Sequence, residues 1–222
     1  SSSGQMMTSI LDLLGGTLTG SDDVIVSGQT TWTGGTMSGS GQLVAQGGLL
    51  ISGIGGKYLE GRTLVNEATA TWTGTGSILV RDGAVIENTP GALFDIQTDR
   101  NFSHNGGAYS TFNNEGTVKK SAGTGSAAFQ AVFNNTGTVQ VESGRMQFDR
   151  GGTSVGAYTI EPGTSLGFSG GPALGPESSG ASLEILAAPQ PLAPANIANS
   201  VGDSALFSWT GFTGGVHLVR VL

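Results

Sequence analysis

The sequence predicts an all-β chain wound as a single-stranded, right-handed parallel β-helix, a β-solenoid of about seven coils. Three observations predict it. The heptapeptide Phe112-Asn113-Asn114-Glu115-Gly116-Thr117-Val118 returns as Phe133-Asn134-Asn135-Thr136-Gly137-Thr138-Val139, and fainter copies run from Val24 to Leu166. After each turn, apolar and polar residues alternate, the period of a half-buried strand. Glycine is abundant (39 residues) without a three-residue period, which excludes collagen, and a chain 37% hydrophobic and 11% charged is too apolar to be disordered.

The elements follow in chain order. Residues 1–17 are read as an N-terminal cap. Met6, Met7, Ile10, Leu11 and Leu14 fall at helical spacing, so a short helix is one form of it and a first strand the other. Residues 18–170 are the parallel β-helix. Seven segments align on a turn residue at 28, 47, 68, 91, 116, 137 and 163, the last being Tyr158-Thr159-Ile160-Glu161-Pro162-Gly163. The steps are roughly 19 to 26 residues, a natural length for one coil.

Thr30 and Trp32, Leu49 and Ile51, Ala70 and Trp72, Phe94 and Ile96, and Val139 and Val141 then share one face. A small first residue is matched by Trp and a large one by Ile, the compensation that a close-packed narrow interior selects. Lys120 falls where an apolar partner is expected, so that rung is distorted or the register slips there. Asn66, Asn88, Asn114 and Asn135 occupy equivalent corners, where stacked amides would hydrogen-bond from coil to coil. The Asn-x-Gly and Pro-Gly pairs supply tight or left-handed turns.

Residues 171–198 change composition. Gly-Gly-Pro, Gly-Pro-Glu and Pro-Gln-Pro-Leu-Ala-Pro read as an extended linker, interrupted by one strand at Ser182–Leu186. Residues 199–222 read as a C-terminal β-hairpin tail. Its apolar residues Leu206, Phe207, Trp209, Val216, Leu218, Val219 and Val221 are the candidate subunit contact, either docking on a neighbouring copy or capping the rod.

Candidates for chemistry are few. Glycoside hydrolysis needs two carboxyls facing one bond. Asp22, Asp23, Asp95, Asp99, Glu142 and Asp149 form no pair at one offset on adjacent coils, and are read as solvated face and turn residues. A lone Ca²⁺ on Asp22-Asp23 is the minor alternative. His104 and His217 lack ligand-spaced neighbours. Gly74-Thr75-Gly76 is a repeat turn and opens no βαβ unit. No catalytic residue, cofactor or metal is therefore expected, and the chain is read as no enzyme. Trp32 and Trp72 are assigned to the core rather than to sugar stacking. The Thr31, Thr33, Thr71 and Thr73 array is interrupted at Leu50, Asp95, Lys119 and Gln140, which speaks against an ice-binding face.

The net charge of −7 and scattered Lys and Arg argue against nucleic acid, and no apolar run is long enough for membrane insertion as a helix. The absence of cysteine excludes a disulfide scaffold. A start at Ser-Ser-Ser-Gly without a leader reads as a mature form or an excised piece.

The Thr-Trp-Thr-Gly and Phe-Asn-Asn-x-Gly-Thr-Val strings resemble the β-strand-repeat regions of bacterial surface and adhesin-like proteins, over roughly residues 18 to 168. The resemblance implies an extracellular or cell-surface location, bacterial or phage. It implies a structural or adhesive role and carries no catalytic residue across. The expected function is an extracellular structural protein that self-associates into a homo-oligomer or filament, end to end or through its tail. The alternative is a carbohydrate-binding adhesin or phage-type spike that takes surface glycans on an outer coil face. A polysaccharide-active enzyme is a more distant reading.

Overall fold

The paired inward residues set the architecture. The structure, a computed structural model, describes residues 4–169 together with the backbone of the strands Ser182–Leu186 and Ala205–Leu206. Three parallel sheets run along the rod, and successive strands visit them in turn, so one pass through all three is one coil. There are eight coils, with no helix among the described residues.

Face A begins with Gln5–Thr8 and ends with Val132–Asn135, extended into the eighth coil by a single bridge from Asn135 to Ser154. Face B runs from Leu11–Leu13 to Ala157–Ile160, and face C from Thr17–Leu18 to Ser165–Ser169. The segment expected to cap the coils is thus itself the first coil. Apolar residues at helical spacing there belong to two short strands and the corners between them.

All five expected inward pairs are buried, and they stack in register. Trp32, Ile51 and Trp72 form one column beside Thr30, Leu49 and Ala70, so each large ring lies beside a small neighbour and between smaller side chains. Towards the C-terminal end the filling becomes aromatic. Phe112, Phe129, Phe133 and Phe148 pack in a continuous run, with Phe133 and Phe148 stacked at 3.9 Å. Such ring pairs add about 0.5–1.5 kcal/mol each beyond the area they bury.

Two expectations are corrected. Lys120 neither distorts its rung nor marks a slip. It pairs in register with Ile96 and Val141 and is fully buried. Tyr158-Thr159-Ile160, aligned by sequence with the Phe-Asn-Asn strands of face A, instead pairs with Thr138–Val141 on face B. Aromatic-polar-aliphatic patterns occur on both faces, and the Pro-Gly that follows turns the chain into face C rather than face B.

The corner glycines serve two different ends. Gly91 and Gly163, each after a proline, adopt φ of 82° and 83°, which favours glycine. Gly137 does not. It lies directly over Gly116, and a Cβ there would be driven into the Gly116 carbonyl oxygen. At this corner glycine is set by the spacing between coils, not by its own dihedral.

Candidate functional site

Four consecutive coils place an asparagine at the end of their face-A strand, and the amides join. Asn66 Nδ2 donates to Asn88 Oδ1 (2.8 Å), Asn88 to Asn114 (2.8 Å) and Asn114 to Asn135 (2.7 Å). Asn135 Nδ2 then donates to Ser154 Oγ (3.2 Å), which also accepts from the Tyr158 hydroxyl (2.6 Å). Each of the first three amides also donates to a carbonyl of the following coil, that of Leu93, Thr117 or Thr138. All four asparagines are buried, so the row is internal scaffolding, as the corner spacing predicted. Burial pushes the Tyr158 hydroxyl above its ordinary pKa, and its hydrogen bonding with Ser154 and Asn135 opposes that shift.

Three cations are also buried. The Lys120 ammonium donates to the carbonyls of Thr98 (3.1 Å) and Ala122 (2.7 Å) and to Asp99 Oδ1 (2.8 Å). The Arg62 guanidinium reaches the carbonyls of Gly20, Asp22, Ser38 and Gln42, tying the corners of successive coils together. Sequence pattern gave no sign of it, because a cation serving carbonyls needs no acidic partner at a fixed spacing. Burial lowers the Arg62 pKa, and Asp23 opposes that shift.

Lys57 is the least satisfied of the three. Among the described residues it donates to one acceptor, Gly55 O at 2.9 Å, and burial lowers its pKa from the ordinary lysine value. Lys57→Met keeps the stem and removes the buried charge. It is expected to raise stability by about 1–2 kcal/mol, or about 3–6 °C in Tm. The unfolded chain holds this proton to higher pH than the folded chain does. Wild-type stability therefore rises with pH from the folded pKa up to the ordinary lysine value, and the advantage of the variant shrinks across that window. Thermal melts at neutral and alkaline pH test it. A lower Tm for the variant, or an advantage independent of pH, rejects it.

The acids expected to be solvated mostly serve as local acceptors. Asp22 and Asp23 accept from the Gly4 and Gln42 amides (both 2.8 Å). Asp95 accepts from Ser121 and Gln97, and Asp149 from Ser169. Glu142 lies 3.7 Å from Lys119. Among the described residues, no group of three His, Cys, Asp or Glu is placed to hold a metal. Trp32 and Trp72 are buried, so they offer no sugar platform, and Trp72 Nε1 donates to Gly76 O. His104 packs at 4.4 Å against Tyr109, whose ring also carries the Arg150 guanidinium at 4.3 Å. His217 lies outside the described residues.

The outer face of sheet B carries a shallow groove of about 380 Å³ where Gly48 leaves a gap between Gln29 and Thr69, with Leu50 and Thr71 along it. Thr31 and Thr71 do point outward here, with Leu50 between them in register, so the hydroxyl row is broken as expected.

At the C-terminal end the chain adds a strand to two of the three faces. Ser182–Leu186 adds antiparallel to Ser165–Ser169, and Ala205–Leu206 adds antiparallel to Ala157–Ile160. Leu206 is thus placed on the last rung of face B. The other candidate contacts, Phe207, Trp209, Val216, Leu218, Val219 and Val221, lie outside the described residues. Comparison with protein-family models, curated proteins and solved structures finds no match. The fold carried by the repeated strings is a parallel solenoid of repeated strands.

Proposed function

We propose that the chain is an extracellular structural protein whose subunits associate through strand edges, with the C-terminal tail governing one of those ends. The observation that supports this is the disposition of the conspicuous side chains. The asparagine row, Arg62, Lys120 and the aromatic run join one coil to the next, and among the described residues the ends of the rod are what these side chains leave to meet a partner. The composition, poor in Lys and rich in Thr, Gly, Asn and Ser, and the resemblance to bacterial surface and adhesin-like repeats support the location.

Deleting residues 199–222 removes the strand that covers the last rung of face B and bares an edge that can pair with another chain. The truncated chain is expected to form longer particles in electron micrographs than the full chain. An unchanged length distribution would take the tail out of the assembly.

The groove beside Gly48 favours a second reading, a carbohydrate-binding surface on face B. Its hydroxyl and amide groups over an apolar floor match the mixed character of a sugar face. Binding on a glycan array, without assembly in solution, would favour this reading over the first.

A further inference from the structure

The fifth coil turns from face C to face A by a wide corner. Residues 105–110 separate Phe102–His104 from Thr111–Asn114, whereas in the sixth coil residues 130–131 alone separate Ser126–Phe129 from Val132–Asn135. Asn105 to Tyr109 are all exposed. The loop rests on the fourth coil. The Asn105 backbone N–H donates to the Val80 carbonyl (2.8 Å), and the carbonyls of Gly106 and Ala108 accept from the backbone of Asp82 (3.4 Å) and Gly83 (3.0 Å). Its two feet are fixed. His104 N donates to Gln130 Oε1 (3.2 Å), the His104 ring packs on Tyr109, and Tyr109 carries the Arg150 guanidinium. Between those feet, among the described residues, residues 105–108 make no hydrogen bond to the sixth coil, and the ladder resumes where Val132 N donates to Ser110 O.

This loop holds the one Asn-Gly step in the sequence, Asn105-Gly106. Neither the Asn105 side-chain amide nor the Gly106 N–H has a hydrogen-bond partner among the described residues. Gly106 has a φ of 103°, and a Cβ there would meet nothing within 4 Å, so the space around its nitrogen is open. Without a side chain, its backbone is also free to turn.

Every other described asparagine is guarded. The buried row is tied from coil to coil and is followed by Glu or Thr. Asn113 and Asn134 are tied to each other on the outer surface, and Asn101 accepts from the Ala128 amide and precedes Phe102. Asp82-Gly83, the one Asp-Gly step, is held as well. Gly83 N–H is engaged with Ala108 O, and the Asp82 carboxylate lies 3.3 Å from Arg81 Nε.

We propose that Asn105 is a self-modification site, where the folded chain converts this asparagine to aspartate and isoaspartate with water as its only co-reactant. The Gly106 backbone nitrogen attacks the Asn105 side-chain carbonyl carbon and forms a C–N bond. The side-chain nitrogen leaves as ammonia, carrying the proton that Gly106 N gives up, and a five-membered imide remains. One water then opens the imide. Addition at the former side-chain carbonyl gives aspartate, and addition at the main-chain carbonyl gives isoaspartate. Either product places a new negative charge on the outer corner. Isoaspartate also lengthens the main chain by one carbon between the Asn105 N–H and the Gly106 carbonyl. The wide loop takes up that length while its feet at His104 and Tyr109 keep their places.

The test is incubation of the folded full chain for several days at neutral and mildly alkaline pH, followed by peptide mass analysis. Cleavage after Arg100 and Lys119, carried out at mildly acidic pH to halt the reaction, isolates residues 101–119. That peptide holds Asn101, Asn105, Asn113 and Asn114, so three guarded asparagines serve as internal references. The expected result is a gain of about one mass unit at Asn105, with aspartate and isoaspartate resolved as two species. It should form at least about tenfold faster than any change at the other three, whose bonds must first break. The rate should rise with pH, because the attacking nitrogen must lose its proton. Asn105→Gln, which keeps the amide but would close a six-membered ring, should abolish the gain. The synthetic 101–119 peptide serves as the clock. A folded chain unmodified at Asn105 after the peptide has converted overturns the proposal, as does equal conversion at Asn113 or Asn114. The fully converted chain should keep its melting temperature to within about 4 °C. A larger fall overturns confinement of the change to the corner.

Discussion

Replacing Asn114 with leucine is expected to lower the melting temperature by about 10 °C or more, which thermal denaturation followed by circular dichroism would measure. Leucine keeps the branched outline of asparagine but is bulkier, so overpacking adds to the cost. Most of the loss is in partners. Asn114 accepts from Asn88 and donates to Asn135, both buried bonds, and donates to the Thr138 carbonyl in a partly buried one. Removing it leaves groups above and below without their counterpart, at about 1–3 kcal/mol for each unmet buried group. Asn113, its neighbour on the outer surface, also bonds across coils, to Glu87 and Asn134. Water can replace those partners, so Asn113→Ala is expected to cost less than about 1 kcal/mol. Equal losses at the two positions would show that burial of the amide row contributes nothing.

Lys120→Met is the second large effect, about 3 kcal/mol of lost stability. The same substitution that stabilises at Lys57 destabilises here, because the two ammonium groups differ in what they leave behind. Lys120 satisfies two backbone carbonyls and a carboxylate, and a methionine satisfies none of them. The Asp99 side chain is 40% exposed and re-solvates, so most of the cost lies in the carbonyls of Thr98 and Ala122. Desolvation pushes the Asp99 carboxyl up, but its bond from Lys120, a bond from the Gly125 backbone and the nearby positive charges together hold it below its usual pKa. That contribution is complete above the unfolded carboxylate pKa of about 4 and is lost as pH falls through the lower folded value. The variant is therefore expected to show a shallower acid limb in its stability profile. A variant as stable as wild type, with the same acid limb, would mean that the ammonium is replaceable by apolar volume.

The sequence was most legible where two constraints fell on one residue. The Trp32 and Trp72 pairs had to satisfy both strand alternation and a fixed interior volume, and the asparagines both a corner and a partner one coil away. Face C had no such double constraint. Its inward residues include Lys57, Ile78, Phe102 and Ala127, and Phe102 pairs with the first residue of Ile78–Arg81 but the last of Ser126–Phe129. A shift of that kind hides the repeat from any fixed-period alignment. The first coil was ambiguous because short strands joined by short corners scatter apolar residues at spacings that a helix also produces. Tyr158 misled because a pattern of three residues does not say which face it belongs to. The role of Arg62 could not be seen in advance, since it depends on backbone carbonyls that every residue carries.

The asparagine row starts at Asn66, so the rod is not uniform along its length. The first three coils are joined by backbone bonds, an aliphatic and tryptophan filling, and the reach of Arg62 across their corners. The later coils add the amide row and the phenylalanine run. Under tension between its ends the molecule should behave as a graded spring. Its N-terminal turns would peel first, each paying out roughly 65 Å of chain as about 20 residues straighten. The remaining coils would hold at that load, so a subunit anchored by its C-terminal half would yield under a sudden pull before it detached.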